Sequence, residues 1–177
     1  MEIKEIRLVK KADENPDTSD LGQYTDTLSD WCIVCKFGEY YANLTDEQKE
    51  EIPESGREYR FYNPPDNGEK EGTEDFQKYG KQDYDDMKRY QRGDFYYYAI
   101  FAEVEFYANS EFHDGSKRAM TLKSTGVWGI ISEMEDSEVQ SVFQDQLEEL
   151  IYTLKGISFS ESDFKTMRTL PIKTVNK

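Results

Sequence analysis

Histidine is almost missing from this chain: His113 stands alone in 177 residues, and cysteine appears only at Cys32 and Cys35. A Ser-His-Asp arrangement would have to run through that one imidazole. Neither a Gly-x-Ser-x-Gly elbow nor a phosphate-cradling glycine loop occurs. Nucleophilic hydrolysis therefore has little support. No stretch approaches the roughly 18–20 apolar residues that span a bilayer, and the start Met1-Glu-Ile-Lys-Glu lacks the basic and apolar segments of a secretory signal. The expected location is cytoplasmic, where no structural disulfide is expected. Basic residues are scarce as well: 22 Lys and Arg stand against 37 Asp and Glu, a net charge of −15. Such a field repels nucleic acid and anionic membrane. Its natural complement is a protein with a basic surface, although acidity also simply aids solubility.

Aromatic residues are plentiful. Thirteen Tyr, ten Phe and two Trp offset an apolar content of only 36%, since each buried ring removes a large area from water. That composition argues against disorder, and the length suits one domain.

Ile3, Ile6, Leu8 and Val9 fit a first strand imperfectly, and the polar stretch Lys10 to Asp30 reads as a long loop. Trp31 to Phe37 reads as a second strand. Thr45 and Gln48 form a capping-box pattern for a short helix, Asp46 to Ile52, that Pro53 stops. Residues 54–73, with Gly56, Pro64, Pro65, Gly68 and Gly72, read as a turn-rich insertion around a strand-like Tyr59 to Tyr62. Phe76, Tyr79, Met87 and Tyr90 recur at helical spacing over Glu74 to Gln91, with Gly80 as a weak point and Gly93 suited to the left-handed helix end.

The strand from Phe95 to Tyr107 alternates, with Tyr96, Tyr98, Ile100, Ala102, Val104 and Phe106 on one face. A turn at Asp114-Gly115 would join it to Arg118–Lys123 as a hairpin. Ser137 to Leu154 carries the apolar stripe Val139, Val142, Phe143, Leu147, Leu150, Ile151 and Leu154, the mark of a packed helix. The tail at 165–177 is basic and expected to be loosely held. The expectation is one α+β domain over residues 1–177: an antiparallel sheet of about four to five strands, with helices Glu74–Gln91 and Ser137–Leu154 packed on it.

Each candidate for chemistry has a plainer reading. Cys32-Ile-Val-Cys35 has redox and zinc spacing, but zinc wants about four ligands and redox pairs sit at helix starts; Ile-Val is strand-like, so core cysteines are the simpler account. His113, beside Asp114, could be a general base or a surface turn residue. Glu103 and Glu105 would share a strand face about 7 Å apart, a geometry open to a metal, to acid–base work or to mere solvation. Asp85-Asp86 offers another carboxylate pair. Arg92-Gly93-Asp94 matches an adhesion tripeptide and equally a helix-to-strand junction. Trp128, between two glycines, suits a core or sheet-corner anchor better than a ligand-stacking platform.

The last long helix is more distinctive. Glu133, Glu135, Asp136, Glu138, Asp145, Glu148 and Glu149 occur between 133 and 154 without one Lys or Arg. Acid in the first turn suits the helix dipole; Glu148 and Glu149 lack that explanation, and like charges on one helix repel. These seven residues form the candidate partner-binding face, an ordinary solvated face being the alternative. No cofactor or metal is expected.

Asp83-Tyr84-Asp85-Asp86-Met87, Tyr90-Gln91-Arg92-Gly93-Asp94-Phe95, Ile100-Phe101-Ala102-Glu103-Val104-Glu105, Leu122, Gly126-Val127-Trp128-Gly129-Ile130-Ile131-Ser132 and Gln146-Leu147-Glu148-Glu149-Leu150 resemble, as a set, a family of small, uncharacterised phage and mobile-element proteins. Leu21 to Asp26 corresponds to an upstream segment of that family. The match covers about half of the chain. Ile131 stands where the family has Glu, and Cys32-x-x-Cys35 and the insertion around Pro64 are not family features. The resemblance implies a phage or integrated element expressed in bacterial cytoplasm, and brings no catalytic residues. The leading expectation is a non-enzymatic protein acting by protein–protein contact, as an inhibitor of a host defence nuclease (anti-CRISPR or anti-restriction). The alternatives are a small metal-dependent enzyme using Glu103, Glu105 and His113, or a structural accessory protein of the element.

Overall fold

Ile3, Ile6 and Leu8 share one face of a single strand, Glu2–Ala12 (β1), because its register slips by one residue between Ile3 and Glu5. That bulge accounts for the imperfect alternation: the extra residue returns the apolar set to the core side. The computed structural model describes residues 2–52, 61–107, 118–156 and 159–177. After β1, in chain order, come β2 (Gln23–Thr25), β3 (Ile33–Val34), β4 (Glu39–Tyr40), α1 (Asp46–Glu50), β5 (Phe61–Asn63), α2 (Glu74–Arg92), β6 (Tyr97–Tyr107), β7 (Ala119–Lys123), β8 (Val127–Ile131), α3 (Asp136–Leu154), α4 (Glu161–Thr169) and β9 (Ile172–Asn176). The fold class is α+β. Where the sequence reads as one domain, the contacts gather in two compact units: the described residues of 1–16 and 95–177, and residues 17–94.

The first unit is a five-stranded, mostly antiparallel sheet ordered β7-β6-β1-β9, with β8 pairing the early part of β6. From Tyr98 on, the alternation along β6 holds, with Tyr98, Ile100, Ala102, Val104 and Phe106 joining Ile6 and Leu8 in the main core; Tyr96, expected on the same face, precedes the strand and is 60% exposed. The stripe of α3, Val139, Phe143, Leu147, Leu150, Ile151 and Leu154, covers them. Val9, Ala99 and Phe101 form a smaller cluster on the other face.

The tail expected to be loose is held firmly. Ser160 caps α4, whose Phe164 and Met167 are buried in the main core, and β9 pairs in parallel with β1. The second helix on this sheet is thus α4, and α2 belongs to the other unit. Phe159, Phe164 and Met167 are too few to announce a helix by periodicity; they are recognised by their burial with the α3 stripe in the main core.

The second unit carries a small sheet ordered β2-β5-β3-β4. Lys10 to Asp30 is no continuous loop, since β1 runs to Ala12 and β2 pairs with β5. Likewise Trp31–Phe37 is strand only at Ile33–Val34, turning back through Cys35–Gly38 to β4. Within the stretch 54–73, the short strand β5 is an inner strand whose Phe61 and Tyr62 are buried in the core, and residues 64–73 after it are mostly exposed turns; residues 53–60 lie outside the described set. Thr45 and Gln48 form the expected capping box of α1.

This unit packs with tyrosines. Tyr40, Tyr62 and Tyr84 are buried, and their hydroxyls donate to the carbonyls of Phe76, Leu21 and Cys35, which satisfies the one polar atom each ring carries. Thr73 caps α2 and Gly93, at φ 75°, ends it in the left-handed conformation glycine tolerates. Gly80 breaks nothing. It lets the helix pass so close to the Tyr40 hydroxyl and Pro64 that a methyl group would collide with both.

Candidate functional site

The buried stripe of α3 decides where its acids point. At 100° per residue, Glu138, Asp145 and Glu149 fall on one flank of that stripe and Glu148 on the other. Glu133, Glu135, Asp136, Glu138, Asp145 and Glu148 are exposed, and Glu149 is half-buried. Asp136 starts the helix and Glu138 accepts a hydrogen bond from the Glu135 amide at 3.3 Å, so this acid serves the positive helix end.

The two carboxylates without that explanation turn out to have partners. Arg168 of α4 grips Glu148 through two bonds of 2.7 Å, holding its carboxyl below the usual range. Glu149 accepts from the Thr125 hydroxyl at 2.8 Å and amide at 3.4 Å, while Gln146 beside it accepts from the Gly126 amide at 2.9 Å. These two acids therefore tie α3 to α4 and to the approach to β8. The structure does not gather all seven into one bare surface. What remains outward is Glu133, Glu135, Asp136, Glu138 and Asp145, with Tyr152, 77% exposed, seven residues beyond Asp145 on the same line. Sequence reading passed over Tyr152, since an exposed tyrosine carries no periodic signal.

Glu103 and Glu105 are not the solvated pair expected. Glu103 is 7% exposed, with Lys177 at 3.0 and 3.3 Å and Arg7 at 3.8 Å. Glu105 is bonded by Lys4 and Arg7, and Arg7 also bonds Glu5. Glu5 and Glu105 lie directly opposite across β1 and β6, where like charges repel; the Arg7 guanidinium between them resolves this. Lys4 and Arg7 hold the Glu105 carboxyl below its ordinary value, the direction opposite to that of a general acid. The missing signal was β9: only its parallel pairing brings Lys177 to Glu103. His113 lies outside the described residues. Among the described residues, no three His, Cys, Asp or Glu side chains converge as a metal site requires.

The other candidates resolve locally. Cys32 and Cys35 form no disulfide; Cys32 is fully buried against Val34, Leu44 and Phe61, and burial pushes its thiol up, away from the reactive thiolate. Asp85 and Asp86 pair with Lys88 and Arg89 one turn along α2. Arg92 and Asp94 bond each other at 2.7 Å around Gly93, a helix end. Trp128 on β8 is 49% exposed, so it is not a core residue. Its edge-on contact is Phe101, and the Lys11 ammonium lies 5.8 Å from its ring centre. No helix among the described residues is long and apolar enough to cross a membrane. Compared with known proteins, the chain matches no family model, no curated protein and no solved structure.

Proposed function

We propose that this is a non-enzymatic protein of a phage or mobile element that works in the bacterial cytoplasm by binding a protein with a basic surface. The target class is a host defence nuclease, which makes the protein an anti-CRISPR or anti-restriction inhibitor. One observation carries the reading: exposed carboxylates at Asp136, Glu138 and Asp145 stand on a helix whose apolar stripe is packed in the core, with Glu133 and Glu135 exposed at the approach to its first turn. A rigid acidic surface loses little entropy on binding. Carboxylates so held can take the bidentate arginine contacts that a nuclease makes to phosphate. Tyr152 adds an exposed aromatic anchor on the same line.

The test is affinity capture from the bacterial host with the intact protein and with a Glu135→Gln, Asp136→Asn, Glu138→Gln, Asp145→Asn variant. The expected result is one basic nuclease that elutes as salt rises and is lost with the variant. Capture of nothing, of structural proteins of the element alone, or of a partner indifferent to the four substitutions would overturn the reading. Glu103→Ala with Glu105→Ala serves as a control for chemistry at that pair: retained inhibition of the captured nuclease is expected.

A further inference from the structure

The second unit contains a cleft that the acidic face of α3 does not explain. It has a volume of about 450 Å³, within the range of small-ligand pockets. Its floor is aromatic: Trp31 and Phe76 meet edge-to-face with ring centres 6.1 Å apart. Tyr40 braces both rings, at 6.5 Å from Trp31 and 5.8 Å from Phe76. On another side Gly72 presses so close to the indole that a methyl group there would sit 2.6 Å from it. Trp31 is nonetheless half-exposed. A ring clamped by its neighbours yet partly open to solvent loses little side-chain freedom when a ligand packs on it. Pro64 and Pro65 make a wall that offers no amide hydrogens, and the rim carries Asp66, Glu69 and Glu71, all exposed. Among the described residues, no lysine or arginine lines the cleft.

We propose that this cleft binds an arginine side chain presented by an extended, basic protein segment. Charge complementarity sets the sign of the occupant, since the charged side chains that line the cleft among the described residues are three carboxylates. The aromatic floor, with Trp31 half-exposed, favours a group that can stack on a ring. A guanidinium can stack on an exposed indole and, at the same time, donate two hydrogen bonds to a rim carboxylate. An ammonium is a compact, strongly hydrated charge and uses the floor less well. The cleft uses other residues than the acidic face of α3, so it stands whether or not that face binds a nuclease.

The probe is a short glycine–arginine peptide, with matched lysine and citrulline peptides, titrated against the full chain. A Trp128→Phe background leaves Trp31 as the one tryptophan to report by fluorescence. The arginine peptide is expected to perturb Trp31 emission saturably, and to bind about tenfold more tightly than the uncharged citrulline peptide and several-fold more tightly than the lysine one. Asp66→Asn, Glu69→Gln and Glu71→Gln together, all surface changes that leave the fold intact, are expected to weaken it about tenfold. Equal binding of citrulline, parity of lysine with arginine, or indifference to the triple variant would each overturn the proposal. Trp31→Ala adds a check by proton–nitrogen NMR, in which the peptide-induced shifts around Asp66 to Gly72 are expected to vanish.

Discussion

Replacing Gly80 by alanine separates local from tertiary control of α2. By helix propensity alone the change stabilises a helix interior by about 1 kcal/mol. The structure predicts the opposite sign. A methyl at this position overlaps the Tyr40 hydroxyl oxygen and lies 2.8 Å from Pro64 Cγ. Tyr40 is fully buried, and its hydroxyl is tied to the Phe76 carbonyl at 3.4 Å, so neither neighbour withdraws freely. Overpacking of this kind costs about 1–3 kcal/mol. With two obstacles the upper part of that range applies, leaving a net loss of about 1–2 kcal/mol after the propensity gain. In a unit of this size each kcal/mol lowers the melting temperature by about 4–8 °C. Denaturant and thermal unfolding followed by circular dichroism measure it, and Tyr40→Phe supplies the control. Removing the hydroxyl vacates the space the methyl needs, so the double variant should be more stable than the two single losses imply, by about 0.5 kcal/mol or more. An alanine variant that melts at or above the parent, or strict additivity with Tyr40→Phe, would refute the packing argument.

Phe143→Ala empties a fully buried site between α3 and the sheet and should cost about 3–5 kcal/mol, seen as an early unfolding transition in urea; a loss below about 1 kcal/mol would contradict the core assignment. Burial, reinforced by the charges of Asp83 and Glu39, pushes the Tyr40 hydroxyl up to about 12. The unfolded chain then releases this proton near pH 10 and the folded chain only near pH 12, so stability present below pH 10 falls by about 2 kcal/mol as pH rises to 12. Tyr62 and Tyr84 shift in the same direction, so Tyr40→Phe should flatten, not abolish, the alkaline slope. Arg168 holds Glu148 below its ordinary value, so its contribution is present above the usual carboxylate range and is lost as pH falls through the lowered one. Glu148→Gln should therefore shrink the acid dependence of the melting temperature, and an unchanged acid slope would count against the ion pair.

Local patterns were legible wherever one residue's neighbours in sequence are also its neighbours in space. The capping box at Thr45 and Gln48, the helix end at Gly93, the alternation along β6 and the stripe of α3 all depend on spacings of two to four residues. The acidic face was half legible. Helical arithmetic separates the flanks of α3, but only tertiary contacts assign Glu148 to Arg168 and Glu149 to Thr125. The cleft at Trp31 was not legible at all, because its floor and rim come from segments 29–31, 63–71 and 76 that share no period.

By itself the sequence determined the elements with strong periodicity, the net negative charge and the scarcity of groups suited to acid–base chemistry near neutral pH. The tertiary structure decided which elements pair. It turned a tail into the helix and strand that complete a sheet, made Glu103 and Glu105 members of an ion-pair network, and converted Gly80 from a helix weakness into a packing requirement. The physical reason is the same in each case. Propensity and periodicity act along the chain over a few residues, whereas the partner that neutralises a buried charge or fills a groove is chosen by proximity in space, here across 74 residues for Lys177 and Glu103.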